Sequence, residues 1–364
     1  MLHVAIFGDL FVRAAILEET LRRHLEPLTG PLDIASVELG YPDEPAQHNA
    51  EIREFVGRPE TVIALAANAE IVVSHMPPLT RAVLDQLPRL RVIGCTRTEA
   101  VNINVAAATE RGIPIMIAPG RNARAVAEFC VGLIIAETRN LARGHAALAQ
   151  GVWRSDLYRY DRAPRELRGQ TVGLIGFGHI GSLMPGLLRP FGVRVLAYDP
   201  YVPDEVFAEK GAERVREMDA LLAESDIVSL HARVTPETRG FIGERQFRLM
   251  KRSAYFINTA RGPLVDYDAL YRALADCHLA GAGLETFAQE PPPPDWPLLR
   301  LPNVTLTPHI AGCSTDSVHT AAEMVCADIA AWHTGETPIR CANPAVLNMT
   351  TRHSGFEASA GFSH

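Results

Sequence analysis

Short apolar runs alternate with amphipathic stretches along most of this chain. That alternation is typical of α/β proteins, in which helices connect the parallel strands of a sheet. The fold class that it predicts is α/β, with doubly wound parallel sheets. The apolar runs predict strands at Val4–Phe7, Ile71–Ser74, Arg91–Cys95, Ile113–Ile117, Val172–Ile175, Val193–Tyr198, Ile227–Leu230, Tyr255–Asn258, Gly281–Glu285 and Val304–Thr307.

Apolar residues at helical spacing lie between the predicted strands. From Asn122 this spacing continues over about thirty residues without an interior proline, which predicts one long helix. Its surplus apolar surface suits either a dimer contact or ordinary core packing. Residues 26–48 are rich in proline and glycine and predict loops. The other helices are predicted at Arg13–His24, Thr80–Gln86, Val105–Arg111 and Thr315–His333.

Length and composition set broad limits on the class of protein. With 364 residues the chain has room for two domains, and its 47% hydrophobic and 21% charged residues are ordinary for a globular protein. A formal net charge of −7 gives no reason to expect nucleic acid or a membrane surface as a partner. No apolar run is long enough to span a bilayer, and the first residues lack the features of a signal peptide.

The six cysteines are the remaining compositional signal. They show no C-x-x-C or other metal-like spacing, so no metal site is predicted. Five of them lie in apolar or helical surroundings, where free thiols behave as small hydrophobic groups. A cytoplasmic location, with reduced thiols, is the expectation that follows.

The stretch Val172–Gly181, which reads VGLIGFGHIG, carries the first candidate binding site. Its apolar strand ends in Gly176, Gly178 and Gly181, the spacing G-x-G-x-x-G of a dinucleotide-binding turn. The first glycine permits a tight turn, the second lets the backbone approach a pyrophosphate, and the third lets the next helix pack on the sheet. Free N–H groups at the start of that helix suit the phosphates.

An acidic residue, Asp199, ends the next predicted strand, 18 residues after Gly181. A carboxylate at this distance can bond both ribose hydroxyls of an adenosine and would repel the 2′-phosphate of NADP. Its neighbours Pro200 and Tyr201 supply no compensating cation. The cofactor predicted is therefore NAD.

Arg261, Glu290 and His309 each follow a different predicted strand, within a few residues of its end. Ligands of open α/β sheets bind just beyond the carboxyl ends of the strands, so we expect these side chains to serve one site. A guanidinium fork suits a carboxylate, and an imidazole backed by a carboxylate is a competent general acid.

Together these groups suit hydride transfer to a ketone that stands beside a carboxylate. Arg261 would orient a 2-oxo acid and polarise its carbonyl, while His309 would protonate the forming alkoxide. Glu290 would hold the imidazole in the correct tautomer. In the reverse direction, His309 would remove the hydroxyl proton. The sequence thus predicts these three as the catalytic residues.

In the order and spacing of its motifs, the chain resembles the D-2-hydroxyacid dehydrogenase family, which includes phosphoglycerate dehydrogenases and glyoxylate/hydroxypyruvate reductases. The resemblance covers roughly residues 88–345. It rests on VGLIGFGHIG, YDP at 198–200, TPETRGFI at 235–242, INTARGPLVD at 257–266, FAQEP at 287–291 and TPHIAG at 307–312.

The resemblance implies the same catalytic trio and two Rossmann-like domains with a cleft between them, usually in a homodimer. Because the last predicted helix returns to the first domain, the substrate-binding domain is predicted to be discontinuous, 1–118 and 312–348, with an NAD-binding domain at 119–311. The Ser/Thr/Gly-rich tail, 349–364, is predicted to be disordered. The implied cofactor-binding residues are Gly176, Gly178, His179, Ile180, Gly181, Asp199, Thr235, Thr259, Ala260, Arg261, Glu285, His309 and Gly312.

Several positions depart from the family pattern. Glu285 stands where the family has aspartate, and Arg233 stands where it has proline. Pro185 is expected to kink the helix after the glycine turn. In the substrate loop, where the family has glycines whose amides grip a carboxylate, this chain reads CTRTEAVN at 95–102.

The side chains of that loop favour a larger substrate. The candidate substrate-binding residues are Thr96, Arg97 and Thr98, together with Arg261. Their polar groups favour a substrate with hydroxyls or a second anion, such as a sugar acid or a phosphorylated hydroxy acid. Alternatively, Arg97 pairs with Glu99 or points to solvent.

Three functions remain open on these grounds. The first is an NAD-dependent oxidoreductase that interconverts a D-2-hydroxy acid and its 2-oxo acid, with D-3-phosphoglycerate dehydrogenase and glyoxylate/hydroxypyruvate reductase as alternatives within that class. The second is an NAD(H)-sensing regulator of the co-repressor type, which can keep the same three residues. The third is formate dehydrogenase, whose family members pair the histidine with glutamine; Glu290 argues against it.

Overall fold

A computed structural model of the chain describes residues 1–350. Within these residues the backbone forms twelve strands: β1 (His3–Asp9), β2 (Asp33–Leu39), β3 (Ile71–Ser74), β4 (Val92–Cys95), β5 (Ile115–Met116), β6 (Thr171–Ile175), β7 (Arg194–Tyr198), β8 (Glu213–Arg214), β9 (Ile227–Leu230), β10 (Tyr255–Asn258), β11 (Gly281–Leu284) and β12 (Val304–Leu306).

The same residues form thirteen α-helices, several of them a single turn long. They are α1 (Ala14–Thr29), α2 (Pro59–Ala66), α3 (Arg81–Leu84), α4 (Val105–Glu110), α5 (Ala123–Thr138), α6 (Leu141–Ala149), α7 (Met184–Leu188), α8 (Asp204–Lys210), α9 (Met218–Glu224), α10 (Glu244–Leu249), α11 (Tyr267–Ala275), α12 (Thr315–His333) and α13 (Leu347–Thr350).

The chain divides into two compact units. Unit 1 comprises Met1–Arg121 and Thr315–His364, and unit 2 comprises Asn122–Ser314. The predicted domain boundaries, after residues 118 and 311, each lie three residues before these divisions. The substrate-binding and NAD-binding roles given to the two parts remain predictions at this point. The tail predicted to be disordered, 349–364, lies outside the described residues except for its first two.

Unit 1 is built on a five-stranded parallel sheet in the order β2-β1-β3-β4-β5. Successive side chains of a strand point to opposite faces, so Val4 and Ile6 of β1 join one core cluster while Ala5 and Phe7 join another. Helices α1 and α12 cover the first face. Both faces are therefore buried, as a doubly wound sheet requires.

Residues 26–48 were expected to form loops, and this prediction was wrong in two places. Helix α1 runs to Thr29 and contains Pro27, and β2 occupies Asp33–Leu39. Strand β2 is an edge strand in which three residues are exposed, three are half-buried and only Leu39 is buried, so its sequence shows no continuous apolar run. Pairing with β1 forms this strand, and no pattern within the segment could indicate that.

Unit 2 is built on a seven-stranded parallel sheet in the order β12-β11-β10-β9-β6-β7-β8. The chain leaves the central strand β6 toward one edge and returns to start β9 on its other side, which creates a topological switch point beside β6. The two parallel sheets confirm the predicted α/β fold class. They also set the glycine turn after β6 at the place where such sheets bind nucleotides.

The single long helix predicted from Asn122 was wrong, because the structure has two helices, α5 and α6, with a break at Asn140. Asn140 adopts a left-handed conformation with φ of 59°, which asparagine tolerates better than most residues. Arg143 fixes the break by donating to the side chains of Asn140 and the buried Glu137, each at 2.5 Å. Thr305 of β12 donates to the other oxygen of Glu137 at 2.6 Å.

Within residues 1–350 no helix is both long and apolar enough to cross a membrane.

Candidate active site

The glycine turn follows β6 and has the shape that a dinucleotide needs. Gly176 has φ of +95°, and a β-carbon there would lie 2.7 Å from the backbone nitrogen of Ala232. A β-carbon on Gly181 would lie 2.2 Å from the carbonyl oxygen of Gly176. At Gly178, in contrast, no atom of the described residues other than its chain neighbours lies within 4 Å of the β-carbon position. The first and third glycines are thus required by packing, while the second leaves open space where a pyrophosphate fits.

Pro185 changes the helix after the glycine turn, as expected. A short 3₁₀ segment, Gly181–Leu183, precedes α7, and Pro185 lies in the first turn of α7. A proline in a first turn loses no helical hydrogen bond, so the helix restarts there instead of continuing from Gly181.

Asp199 lies at the end of the neighbouring strand β7 and is tied to the glycine turn. The backbone N–H of Phe177 donates to Oδ2 of Asp199 at 2.8 Å, and the N–H of Tyr201 donates to Oδ1 at 2.9 Å. Each carboxylate oxygen keeps a second lone pair for another donor. The geometry therefore fits a carboxylate that is fixed in place to receive ribose hydroxyls.

The other predicted cofactor residues lie along the same edge of the unit 2 sheet or in the loops that follow it. His179 is exposed in the glycine turn and Ile180 is half-buried. Thr235 is exposed in a turn in which its N–H donates to Thr238 Oγ1 at 2.7 Å. Thr259 and Ala260 are buried directly after β10, and Gly312 follows β12. Their contacts with a cofactor remain predictions.

Arg261 follows β10 in a loop that is held from beneath by Asn258. The Asn258 side chain accepts from the N–H of Ala260 at 3.0 Å and donates to the carbonyl of Arg261 at 3.3 Å. Arg261 donates one guanidinium N–H to the Ala260 carbonyl at 2.8 Å, and its side chain is exposed. Within residues 1–350 the structure gives its other N–H groups no partner, so they remain available to a carboxylate.

Glu290 and His309 form a hydrogen-bonded pair. Nδ1 of His309 lies 2.6 Å from Oε2 of Glu290, and the side chains are 42% and 36% exposed. The N–H of Phe287 donates to Oε1 of Glu290 at 2.9 Å. Burial raises the pKa of the Glu290 carboxyl, but the bonds from His309 and Phe287 and the positive charge of Arg261 outweigh it and lower the pKa below its usual range. Glu290 is therefore a carboxylate at neutral pH and accepts a hydrogen bond from Nδ1.

The backbone of His309 is held in an uncommon conformation by Glu285. His309 has φ of +54°, and its N–H donates to the carbonyl of Glu285 at 3.1 Å. The buried Glu285 side chain accepts from Thr307 Oγ1 and, at 2.5 Å, from the N–H of Ala311. Both carboxylate oxygens thus bind residues that flank His309, and the extra methylene of glutamate supplies the reach. A contact between Glu285 and the cofactor remains a prediction.

The predicted substrate-binding residues of the 95–102 loop lie in unit 1 and differ in their availability. Thr96 is buried and donates its hydroxyl to the Ser74 carbonyl at 3.2 Å. Thr98 is exposed. Arg97 is ion-paired with Glu54, a partner that the sequence did not indicate, and not with Glu99. Their roles toward a substrate stay predictions.

Two polar residues that the sequence analysis did not select lie in unit 1. Asp9 ends β1 and His75 directly follows β3, and the two are buried and bonded to each other. His75 satisfies the same rule that selected Arg261 and His309, since it is a polar residue just after a predicted strand. Asp9 was missed because the predicted strand, Val4–Phe7, ended two residues before the end of β1.

Comparison with known proteins gives consistent matches. Residues 131–311 match the family model described as D-isomer specific 2-hydroxyacid dehydrogenase, NAD binding domain. A glyoxylate reductase of Korarchaeum cryptofilum is 37% identical over 299 residues, which cover 82% of this chain and 89% of the relative. A D-3-phosphoglycerate dehydrogenase of Methanocaldococcus jannaschii is 40% identical over 258 residues, which cover 71% of this chain and 48% of the relative.

Solved structures match over nearly the whole chain. The NAD-complexed form of a D-isomer specific 2-hydroxyacid dehydrogenase from Lactobacillus delbrueckii ssp. bulgaricus has a TM-score of 0.75 and 26% sequence identity, over 93% of this chain and 99% of that one. A D-lactate dehydrogenase with NAD+ from Lactobacillus jensenii has a TM-score of 0.74 and 27% identity, with the same coverage.

Proposed function

This chain belongs to the D-isomer specific 2-hydroxyacid dehydrogenase family and is an NAD-dependent oxidoreductase that acts on the CH–OH group, and we propose that Arg261, Glu290 and His309 carry its reaction. The observation that supports this most directly is the 2.6 Å bond between His309 Nδ1 and Glu290 Oε2. The chemistry that NAD would supply when bound is hydride transfer to or from the carbon that bears the oxygen. The roles of the protein's own residues follow from their geometry.

Arg261 binds the carboxylate of the substrate. The residue is exposed, and among residues 1–350 its guanidinium is bonded through a single N–H, to the Ala260 carbonyl. The planar fork of the other N–H groups matches the two oxygens of a carboxylate. A 2-oxo acid held in this way has its ketone oxygen next to the positive charge, which polarises the carbonyl for reduction.

His309 transfers the proton through Nε2. Because Glu290 accepts a hydrogen bond at Nδ1, that nitrogen keeps its proton and Nε2 is the nitrogen that exchanges a proton with the substrate oxygen. In reduction Nε2 donates to the forming alkoxide, and in oxidation it removes the hydroxyl proton. Glu290 orients the ring and stabilises its charged form in both directions.

The substrate that we propose is a D-2-hydroxy acid that carries polar groups beyond the reacting carbon. The support is the replacement of the expected glycines at 95–102 by polar side chains, including Arg97. The curated relatives named above are a glyoxylate reductase and a D-3-phosphoglycerate dehydrogenase, whose names describe small 2-oxo or 2-hydroxy acids.

We also propose that the protein acts as a homodimer through an exposed apolar segment, residues 141–160. Helix α6 in this segment has no buried residue. Leu148 is 58% exposed and Trp153 is 78% exposed, a large apolar area for side chains that face water. We expect light scattering to give twice the chain mass, and the double variant Leu148→Glu/Trp153→Ser to give a monomer. Leu28→Glu, at an exposed leucine of α1, is the matched control.

We place the protein in the cytoplasm, as its thiols favour. None of the six cysteines forms a disulfide with another, and burial raises the pKa of Cys130 to about 11, which keeps that thiol unreactive at neutral pH. The exposed Cys277 and Cys313 stay reduced in a compartment with a reducing glutathione pool. The test is fractionation of cells that express the protein. Recovery of the protein in the membrane or secreted fraction would contradict this placement.

The reaction is tested by following oxidation of NADH with a panel of 2-oxo acids. We expect turnover by the wild-type protein, and a loss of roughly 10²–10⁴-fold in kcat for His309→Asn with NADH binding retained. Quenching of protein fluorescence measures that binding independently. A folded protein that binds NADH and reduces no acid in the panel would refute the enzymatic proposal and favour the sensing role.

A further inference from the structure

Three adjacent strands of unit 1 end in polar residues that the proposed reaction does not use. Asp9 is the last residue of β1, His75 directly follows β3, and Arg97 lies just beyond the end of β4. Since β1, β3 and β4 are neighbours in a parallel sheet, their carboxyl ends form one edge. We call Asp9, His75 and Arg97 the polar edge of unit 1. The carboxyl edge of an open parallel sheet is where such sheets place ligands.

Asp9 is fully buried, and every oxygen of its side chain is engaged. Oδ1 accepts from the backbone N–H groups of Phe11 and Val12 at 2.9 and 2.7 Å. Oδ2 lies 2.5 Å from Nδ1 of His75. The first two bonds fix the carboxylate in the turn after β1, so Asp9 cannot rotate away from the histidine. It therefore sets both the orientation and the tautomer of the ring.

His75 is 4% exposed and is enclosed by two aromatic rings. The ring of Phe11 lies 6.2 Å and that of Tyr41 lies 6.0 Å from the imidazole, centre to centre. Burial lowers the pKa of His75; the bond to Asp9 acts against this, and Arg97 and Arg121 add to the lowering. The ring is therefore neutral at pH 7, and its one proton is on Nδ1, where Asp9 accepts it.

Nε2 of His75 is then a hydrogen-bond acceptor. In residues 1–350 the structure gives this nitrogen no partner, yet it is not among the side-chain atoms that are sealed from solvent without one. A buried carboxylate–histidine pair costs free energy to desolvate, and packing alone does not require it at the end of two strands. A ligand that donates a hydrogen bond to Nε2 would account for the pair.

Resting on the function proposed above, we propose that His75, oriented by Asp9, is a specificity-determining residue that accepts a hydrogen bond from a hydroxyl of the substrate beyond the reacting carbon. The substrates are accordingly 2-hydroxy acids with at least one further hydroxyl. Asp9 is a positioning residue in this scheme.

The charges at the polar edge favour a hydroxyl over a phosphate. A phosphate needs cationic or donor groups that are not already committed. Arg97 is 18% exposed and ion-paired with Glu54, so its charge is largely neutralised. A neutral imidazole whose remaining nitrogen is an acceptor repels the lone pairs of an anion but suits an O–H donor.

The test compares substrates that differ by one hydroxyl. The pairs are pyruvate with hydroxypyruvate, and 2-oxobutyrate with 4-hydroxy-2-oxobutyrate, measured with NADH as kcat/KM. The variant is His75→Phe, which keeps a ring in the aromatic enclosure and removes both nitrogens. The matched control is His3→Phe, because His3 also bonds an aspartate through Nδ1, to Asp33 at 2.7 Å, at the exposed start of β1.

We expect the wild-type protein to prefer the hydroxylated acid of at least one pair by about tenfold or more, since a site built to bond a hydroxyl rejects the analogue that lacks it. His75→Phe should remove most of that preference, and His3→Phe should leave it unchanged. A purely structural role for His75 would lower activity toward both members of a pair equally. Either an unchanged preference in His75→Phe or a wild-type preference for 3-phosphohydroxypyruvate over hydroxypyruvate by about tenfold would overturn the proposal.

A binding measurement separates this proposal from the proposed reaction. Calorimetry with the NADH-loaded protein, to which a hydroxy acid can bind without being oxidised, compares D-glycerate with D-lactate, which lacks the terminal hydroxyl. Tighter binding of D-glycerate that disappears in His75→Phe supports the specificity role even if no acid is turned over. Turnover with equal binding of the two acids supports the reaction and overturns the specificity role.

Asp9→Asn serves where His75→Phe does not fold. The new side-chain amide keeps an oxygen for the backbone N–H groups and presents a donor to Nδ1, which forces the proton of the ring onto Nε2. Nitrogen-15 NMR of the histidines should report this change of tautomer, together with loss of the preference for the hydroxylated acid. A changed tautomer with an unchanged preference would refute the role of Nε2 as acceptor.

Discussion

A β-carbon on Gly262 would lie 1.9 Å from the carbonyl oxygen of Phe287. The loop after β10 and the loop after β11 therefore touch backbone to backbone at this point. The contact fixes Arg261, next to Gly262, relative to the turn that presents Glu290, whose Oε1 accepts from the N–H of Phe287. Two groups that we propose to be catalytic, and that lie apart in sequence, are thus positioned by the absence of a side chain.

Replacing Gly262 with alanine should separate these loops. Since the new methyl group cannot fit against the Phe287 carbonyl, the backbone must shift by about an ångström or more, and a displacement of that size costs about 10²-fold in catalysis. We expect kcat/KM to fall by about this factor and NADH affinity to change little. Gly186→Ala is the control, because in the described part of the chain a β-carbon at Gly186 meets no atom within 4 Å apart from its neighbours and its own helix backbone. Equal activity of the two variants would contradict the argument.

Glu290→Gln should separate proton transfer from substrate binding. The amide leaves the ring without a carboxylate to stabilise its charged form, so we expect kcat to fall by roughly 10²–10³-fold while KM stays within about threefold. Steady-state kinetics in the direction of 2-oxo acid reduction provide the measurement. Gln289→Ala, at the exposed neighbouring residue, should retain full activity. A variant that raised KM alone would assign Glu290 to binding instead.

His231 should make the stability of the protein depend on pH. Burial lowers its pKa to about 4 in the folded chain, against about 6.5 when unfolded. As the pH falls below 6.5, the imidazole of His231 binds a proton in the unfolded state but not in the folded state. The free energy of unfolding therefore decreases with falling pH. Between pH 7 and pH 5 this amounts to about 2 kcal/mol.

Urea denaturation at both pH values tests this loss. His231→Gln should show a smaller decrease between pH 7 and pH 5 than the wild-type protein, by about the same 2 kcal/mol. His48→Gln, at an exposed histidine outside the proposed dimer segment, should behave as the wild type. If the free energy of unfolding decreased equally with pH in the wild type and in His231→Gln, protonation of the ring would cost the folded protein no stability.

Glu54→Gln should change which acids the enzyme accepts. The substitution releases the Arg97 guanidinium from its ion pair, so a cation becomes available at the polar edge of unit 1. We expect kcat/KM for 3-phosphohydroxypyruvate to rise about tenfold relative to hydroxypyruvate, about the effect of one charge-assisted hydrogen bond. Glu99→Gln, in the same loop as Arg97, should leave the ratio unchanged. A ratio that does not respond to Glu54→Gln would place Arg97 outside the substrate site.

The sequence predicted the parts of the fold and site that depend on local pattern. Most strands of both sheets are buried on two faces, so their apolar runs mark them, and residues after their ends gave Arg261, Glu290 and His309. The bond between His309 and Glu290 was expected and is present. The glycine spacing also predicted which positions pack tightly and which stays open, as Gly178 does.

The parts that could not be predicted depend on contacts between distant residues. Strand β2 forms by pairing with β1, and its own residues are exposed or half-buried except for Leu39. The break at Asn140 depends on Arg143 reaching a buried Glu137. The partner of Arg97 is Glu54, a residue 43 positions earlier, whereas sequence proximity suggested Glu99. For the strand and the ion pair, the residues that determine the structure are distant along the chain. A local sequence pattern therefore cannot predict them.

Helix α12 has a consequence for how the protein is made. Residues of β1 and β4 such as Val4 and Val92 are packed against α12, and a β-carbon on Gly94 would lie 2.5 Å from Val325 of that helix. On the ribosome, unit 1 therefore has an apolar sheet face that α1 covers only in part until α12 has been synthesised, long after the strands have emerged. Unit 2, an uninterrupted stretch, has all of its residues before that moment. Newborn chains interrupted before α12 should be the ones that need chaperones and that aggregate.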